Sequence, residues 1–419
     1  MTTMTDPPKA SFRLSMLLYD TRYRSITIQV IAMIGFMLGA MWLINNVRIN
    51  LALAGKPFEF GFLFDASGYD INQKLIEYSS QSTHLRSAVV GFLNTLLVAT
   101  LGCIAATVLG VFIGILRLSK NWIISRLATV YVETFRNVPL LLWISLAVVA
   151  FSHTLPTPRD FRGENPAASM SLFDSVAVTN RGIFAPEAAF ESSIGKVPVF
   201  GNSFYMHLDW VAIFSVLIAG LLVSKLIARR AEKIQNQVGS RPTTWHWRLA
   251  VIVIPTVLVM WLLGFHLNYP EFSRFNFKGG ILIRSSLVAL WLALTLYTAA
   301  FIAEIVRAGI MAISKGQTEA AGALGIRPNK IMSLVVLPQA MRVIVPPLIS
   351  QYLNLTKNSS LAVIAGYMDI TGTLGGVTMN QTGREMESIL LLMLCYLAIS
   401  LSISTVMNFY NERTKLKER

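Results

Sequence analysis

Long apolar runs separated by polar segments set the pattern of this chain. Eight runs stand out, at roughly 26–44, 91–116, 127–151, 210–228, 249–267, 285–303, 343–366 and 389–409. As helices, most are long enough to cross a hydrocarbon core of about 30 Å. Backbone amides find no water there, so a spanning element must satisfy its hydrogen bonds internally, as a helix does. The alternating ten-residue pattern of a membrane β-barrel is not found. The pattern therefore predicts an all-α polytopic membrane protein with about eight transmembrane helices.

The polar segments differ from one another. Residues 45–90 and 152–209 are long and rich in turn formers. The second holds Pro156, Pro158, Pro166, Pro186 and Pro198 with Gly163, Gly182, Gly195 and Gly201, which forbids a long helix. It reads equally as an ordered lid or docking loop and as a solvated insertion. The first apolar run ends in Asn45-Asn46-Val47-Arg48 without a small-residue cleavage site, so it is expected to stay as a helix.

Composition agrees with this class. Of 419 residues 54% are hydrophobic and 14% charged, against about a quarter charged in soluble domains. Charge then supplies an orientation. An even number of spans puts both termini on one side. With the termini in the cytoplasm, inside segments carry 22 Lys and Arg against 7 acids, and outside segments 12 against 14. The positive-inside rule selects that arrangement. The net charge of +14 flanks spans rather than forming a stripe, so nucleic acid is not an expected partner and the lipid bilayer is. Cys103 and Cys395 fall in apolar runs and read as packing residues. The histidines His84, His153, His207, His246 and His266 are scattered without ligand spacing, so no metal site is expected.

Residues 304–342 are the unusual inside segment, EIVRAGIMAISKGQTEAAGALGIRPNKIMSLVVLPQAMR. From Gln317 to Leu324 helix formers and small residues dominate, Gly325 follows where a C-terminal cap belongs, and Pro328 can open a new helix. The spacing predicts a short helix, a sharp bend, and a second helix running back toward the membrane. A small-residue face lets another backbone approach closely. A helix lying on lipid would need large apolar residues opposite Lys and Arg, and 318–325 offers only Leu324. A groove on a partner protein is the better reading.

Glu319-Ala320-Ala321, then Gly325, then Val335 and Leu337-Pro338 resemble the EAA motif of binding-protein-dependent ABC importer permeases, with Val335 where that family prefers Ile. Gly91-Phe92-Leu93-Asn94-Thr95-Leu96, Arg117-Leu118-Ser119, the Tyr131–Leu141 stretch, the Ala303–Gly309 stretch and Thr356-Lys357-Asn358-Ser359-Ser360-Leu361 are similar to the polar amino-acid branch. The resemblance covers about 88–151 and 280–415. A five-helix core with an extra first helix and a two-helix insertion resembles the larger-insert permease of the general L-amino-acid transport system. It implies a type I ABC importer permease core, laid out as a cytoplasmic N-terminus 1–25, an extra helix and periplasmic loop 26–87, core 88–151, a periplasmic insertion 152–209, two extra helices 210–279, and core 280–415. It also implies that Glu319, Ala320, Ala321, Gly325, Ile326 and Pro328 couple to an ATP-binding-cassette ATPase. Further partners implied are a second permease in a heterodimer, a periplasmic amino-acid-binding protein and an amino-acid substrate. The chain lacks G-x-x-x-x-G-K-[ST], so it is expected to bind no cofactor, to have no catalytic residue, and to leave ATP and Mg to the ATPase.

Polar residues at membrane depth are costly and usually functional. Lys357 lies late in the seventh run among Asn354, Asn358, Ser359 and Ser360. Asn354 and Asn358 share a helix face. The group reads as lining a translocation pathway, as polar glue between helices, or as a snorkelling helix end. Pro346-Pro347 should bend the helix. Glu133 and Arg136, like Glu304 and Arg307, are spaced to pair with each other near a span end. An ion-gradient-driven transporter is the alternative function, but it expects internal repeats and a midplane carboxylate, and neither is found. A non-transporting scaffold would need no coupling segment.

Overall fold

The computed structural model describes residues 16–163, 166–199, 204–240 and 242–414. The first fifteen residues of the expected cytoplasmic N-terminus and the last five of the C-terminus lie outside them. Among the described residues eight helices are long and apolar enough to cross a membrane.

The chain divides into two units, Met1–Phe62 and Leu63–Arg419. The first holds helix α1 (Thr21–Leu53), an uninterrupted apolar rod. The second holds everything else. Its centre is α7 (Ser285–Met311), with 61% of its span window buried, the highest share of the eight. Helix α2 (His84–Arg117) packs along it. Gly110 and Gly114 allow this approach: a Cβ on Gly110 would lie 2.6 Å from the Ile302 Cβ, and one on Gly114 2.8 Å from the Ala303 carbonyl oxygen. The two glycines are four apart, the small-residue spacing of close membrane helix pairs.

The third apolar run, expected as one span over 127–151, is two helices. Helix α3 (Trp122–Asn137) ends at Val138, which is extended at φ −104°, ψ 133°, and α4 (Leu140–Thr154) begins after Pro139. Proline pushes the preceding residue out of the helical region. Asn121 caps α3, its Oδ1 accepting from the Ile123 and Ile124 amides at 3.0 and 3.3 Å. Helix α3 is amphipathic. Ala128 and Val132 pack on Ile113, Ala300 and Ala303, while Trp122, Ile123 and Leu127 stay exposed.

Helices α5 (Leu208–Val238) and α6 (Trp245–Leu262) form an antiparallel hairpin. Outside the spans, nine short strands occur among the described residues. The strands Gly182–Ala185 and Glu187–Phe190 come from the Pro/Gly-rich insertion, and they pair antiparallel with Ile281–Arg284 and Phe265–Asn268 respectively. The insertion is thus an ordered β layer, stitched to the segment that follows the hairpin. Helix α8 (Lys315–Ala323) is the short element of the unusual segment. Beyond it a turn of helix at Pro328–Ile331 and a π-helical turn lead into α9 (Leu337–Asn358), and α10 (Glu385–Thr414) closes the chain.

Candidate functional site

The bend expected at Gly325 is present. Gly325 has φ +75°, a left-handed conformation that glycine adopts without a Cβ penalty. The Leu324 amide donates to Ala320 O at 3.2 Å, Gly325 to Gly322 O at 2.9 Å and Ile326 to Ala321 O at 3.3 Å, so the orphan carbonyls of α8 are satisfied. Arg327 is extended before Pro328, which starts the next turn.

The six residues assigned to coupling divide into two sets. Ala321 is buried against Ile331 and Val336, and Ile326 packs beside them with Ile310, Ile313 and Val335. These two anchor the elbow. Glu319, Ala320, Gly325 and Pro328 are exposed, and so is Leu324, at 80%. The exposed set is one contiguous knuckle projecting beyond the ends of α7 and α9.

The polar group on α9 divides similarly. Asn354 and Lys357 are exposed, Asn358 and Ser360 half-buried. With Ser350 they continue an exposed stripe that includes Pro346. Ser359 is buried and donates to Thr356 O at 2.7 Å, which makes it part of the helix packing and not of the stripe. Pro346 and Pro347 lie inside α9 without ending it. The knuckle and the stripe sit at opposite ends of α9, joined by the helical run 328–365.

Two further clusters emerge that sequence reasoning missed. At the C-terminal end of α2, the largely buried Arg117 side chain pairs with Glu304. Glu304 also binds Arg307 at 2.6 Å and Arg136 at 3.8 Å. The expected Glu304–Arg307 pair is therefore present, but the expected Glu133–Arg136 pair is not observed: Glu133 turns to Arg117 at 3.9 Å. Breaking the third run at Pro139 makes α3 a separate helix beside α2, and a central guanidinium out-competes a neighbour on the same helix.

At the other end, the segment after α9 is locked onto α2. The fully buried Asn94 side-chain amide donates to Gln73 O at 2.7 Å and Met368 O at 2.8 Å. Thr95 Oγ1 accepts from the Ile370 amide at 3.1 Å, and the Tyr367 hydroxyl donates to Asn94 O at 3.0 Å. Asp369, also fully buried, accepts from the Gly372 amide at 2.9 Å and the Tyr396 hydroxyl at 3.2 Å. Burial pushes its carboxyl up to about 6. Asn94 and Thr95 stood in a motif that was legible, but apart from Gln73 their partners are some 270 residues away.

A family model described as the binding-protein-dependent transport system inner membrane component matches residues 240–416. The chain is 57% identical over 427 aligned residues, covering all of both chains, to the glutamate/glutamine/aspartate/asparagine transport system permease protein BztB of Rhodobacter capsulatus. This chain belongs to the amino-acid ABC importer permeases. It is 41% identical to the general L-amino acid transport system permease protein AapQ of Rhizobium johnstonii, over 98% of this chain and 96% of that one. The permease is also 35% identical over 205 residues to the glutamate/aspartate import permease protein GltK of Escherichia coli, an alignment covering 87% of GltK but 48% of this chain. Most of a shorter permease thus fits within half of this one. The permease is a multi-pass inner-membrane protein and a transporter subunit of an amino-acid importer.

Proposed function

We propose that this permease lines a translocation pathway together with a second, different permease subunit, and that its knuckle of Glu319, Ala320, Gly325 and Pro328 seats in a groove of a separate ATPase. In this reading Ala321 and Ile326 hold the knuckle in shape. ATP and Mg belong to the ATPase and none is bound here. A periplasmic amino-acid-binding protein delivers substrate on the side of the β layer, both termini are cytoplasmic, and the heavier basic charge of the inside segments supports that orientation.

The observation that carries the reading is the exposed small-residue knuckle joined by one continuous helix to an exposed polar stripe. Nucleotide-driven closure of the ATPases would move the knuckle, and α9 would carry that motion to the stripe. Asn354, Lys357, Asn358 and Ser360 supply donors suited to a substrate carboxylate, with Ser359 supporting them from the buried side. The naming of BztB for acidic amino acids and their amides supports the same substrate class here.

The test is Gly325→Asp. A side chain at a left-handed position costs about 1–2 kcal/mol, and the knuckle surface would gain a charge. Insertion and pairing with the second permease should be retained, while an ATPase no longer copurifies and stimulated ATP hydrolysis is lost. Full uptake by this variant would remove the knuckle from the interface.

A further inference from the structure

The loop end of the α5–α6 hairpin holds a cleft of about 320 Å³. One wall is a single stripe of α5, with Ile227, Arg230, Ala231 and Ile234 at helical spacings of three and four. The other wall includes Trp247 and Val251 of α6. Arg248 donates to Ser224 Oγ at 3.3 Å and ties the helices together one turn deeper.

Three features of this cleft point to one ligand. First, Arg230 lines it with a guanidinium that makes no ion pair among the described residues. The one acid of the segment 225–248, Glu232, is two residues from both Arg230 and Ile234 and so lies on the far side of the helix. Second, the cleft sits where the spans end, and Trp247 is 64% exposed beside it, as interfacial tryptophans are at headgroup depth. Third, its apolar walls Ile227 and Val251 continue into the span, while Ile234, Pro242 and Thr244 close it on the loop side. A cationic rim over an apolar floor at the membrane edge matches a molecule with a phosphodiester head and acyl tails. A soluble phosphoester would gain nothing from the floor.

We propose that this cleft is a binding site for an anionic phospholipid. Arg230 pairs with the phosphate oxygens through its planar fork, the Trp247 ring covers the glycerol, and an acyl chain runs down Ile227 and Val251. The site lies outside the translocation machinery proposed above and does not depend on it.

Retention of added lipid by the full chain in neutral detergent, read by native mass spectrometry, tests this. The unaltered chain should hold phosphatidylglycerol in preference to phosphatidylcholine, and phosphatidylglycerol should raise its melting temperature. Arg230→Gln should weaken retention about fivefold, the worth of one basic residue near an anionic surface. Lys225→Gln, on the opposite face of the same helix, should leave retention unchanged. Equal retention of the two lipids overturns the proposal. So does an equal loss in both variants, which would mark a diffuse basic surface, and so does full competition by soluble glycerol phosphate.

Discussion

The two ends of α9 are built on opposite plans. Its C-terminal end runs into residues 366–372, where Asn94, Thr95, Tyr367 and Asp369 are buried and every one takes part in a hydrogen bond. Its N-terminal end runs into the knuckle, held by a small apolar cluster around Ala321 and otherwise exposed. A buried polar network fixes one geometry, because each unmade bond in it is expensive. An exposed knuckle on an apolar hinge leaves its outer surface to a partner. The contrast teaches where force can enter this molecule and where it is resisted.

The sharpest way to break the contrast is at Asn94. Asn94→Leu keeps the branched shape but strips the donor from the Gln73 and Met368 carbonyls. Two carbonyls losing a buried partner should cost about 3 kcal/mol, seen as a large drop in melting temperature in detergent. Leu324→Ser on the knuckle should cost less than about 0.5 kcal/mol, as exposed changes do. Equal losses in the two variants would end the distinction between a locked and a free end.

Next in size is Glu304, which collects Arg117, Arg136 and Arg307. Glu304→Gln leaves a mostly buried Arg117 with only the long contact to Glu133, at 3.9 Å. The expected destabilisation is about 2 kcal/mol, while Arg136→Gln, more exposed, should cost about 0.5 kcal/mol. A Glu304→Gln variant that melts with the parent would show that the cluster is ornamental to the fold.

An effect of comparable size, but one that depends on pH, should come from Asp369. Its native carboxyl titrates near 6, raised by burial, against about 3.9 in an unfolded chain. Between those values the native state holds more protons than the unfolded one, so stability falls as pH rises through the window. Asp369→Asn keeps the shape and removes the titration. The difference in melting temperature between parent and variant should therefore shift steadily against the parent from pH 4 to 6 and level off above. A constant difference across that range would mean the buried group does not hold its proton there.

How much of this was legible in the sequence follows from how local each signal is. The knuckle was readable because Gly325 and Pro328 act on their own neighbours. The break at Pro139 rests on an equally local rule, but an apolar run of span length concealed it. Gly110 and Gly114 show their spacing in the sequence, though not the helix they pack on. The outer lock was out of reach. Asn94 and Asp369 look like ordinary polar residues at a span start and in an outside loop, and only the packing of α2 against residues 366–372 buries them. The strands Gly182–Ala185 and Glu187–Phe190 were hidden for the same reason, since the partners at 281–284 and 265–268 lie beyond two more spans.

The smallest expected effect on stability, and the most telling for transport, is at Lys357. A lysine at membrane depth costs at least about 2.5 kcal/mol, and on this chain its side chain lies exposed on the stripe with Asn354. A charge there persists when water, a partner's acid or a substrate carboxylate compensates it. Lys357→Met keeps the length and removes the charge, so the fold should be no less stable. If the stripe faces the pathway proposed above, uptake of acidic amino acids should fall about tenfold relative to neutral ones, the worth of one charge-assisted hydrogen bond. Copurification of the ATPase through the distant knuckle should be unchanged. If Lys357 only reaches for the interface, the variant transports every amino acid as the parent does. Lys357 would then leave the pathway, and the free end of α9 would keep a functional claim that its polar stripe had lost.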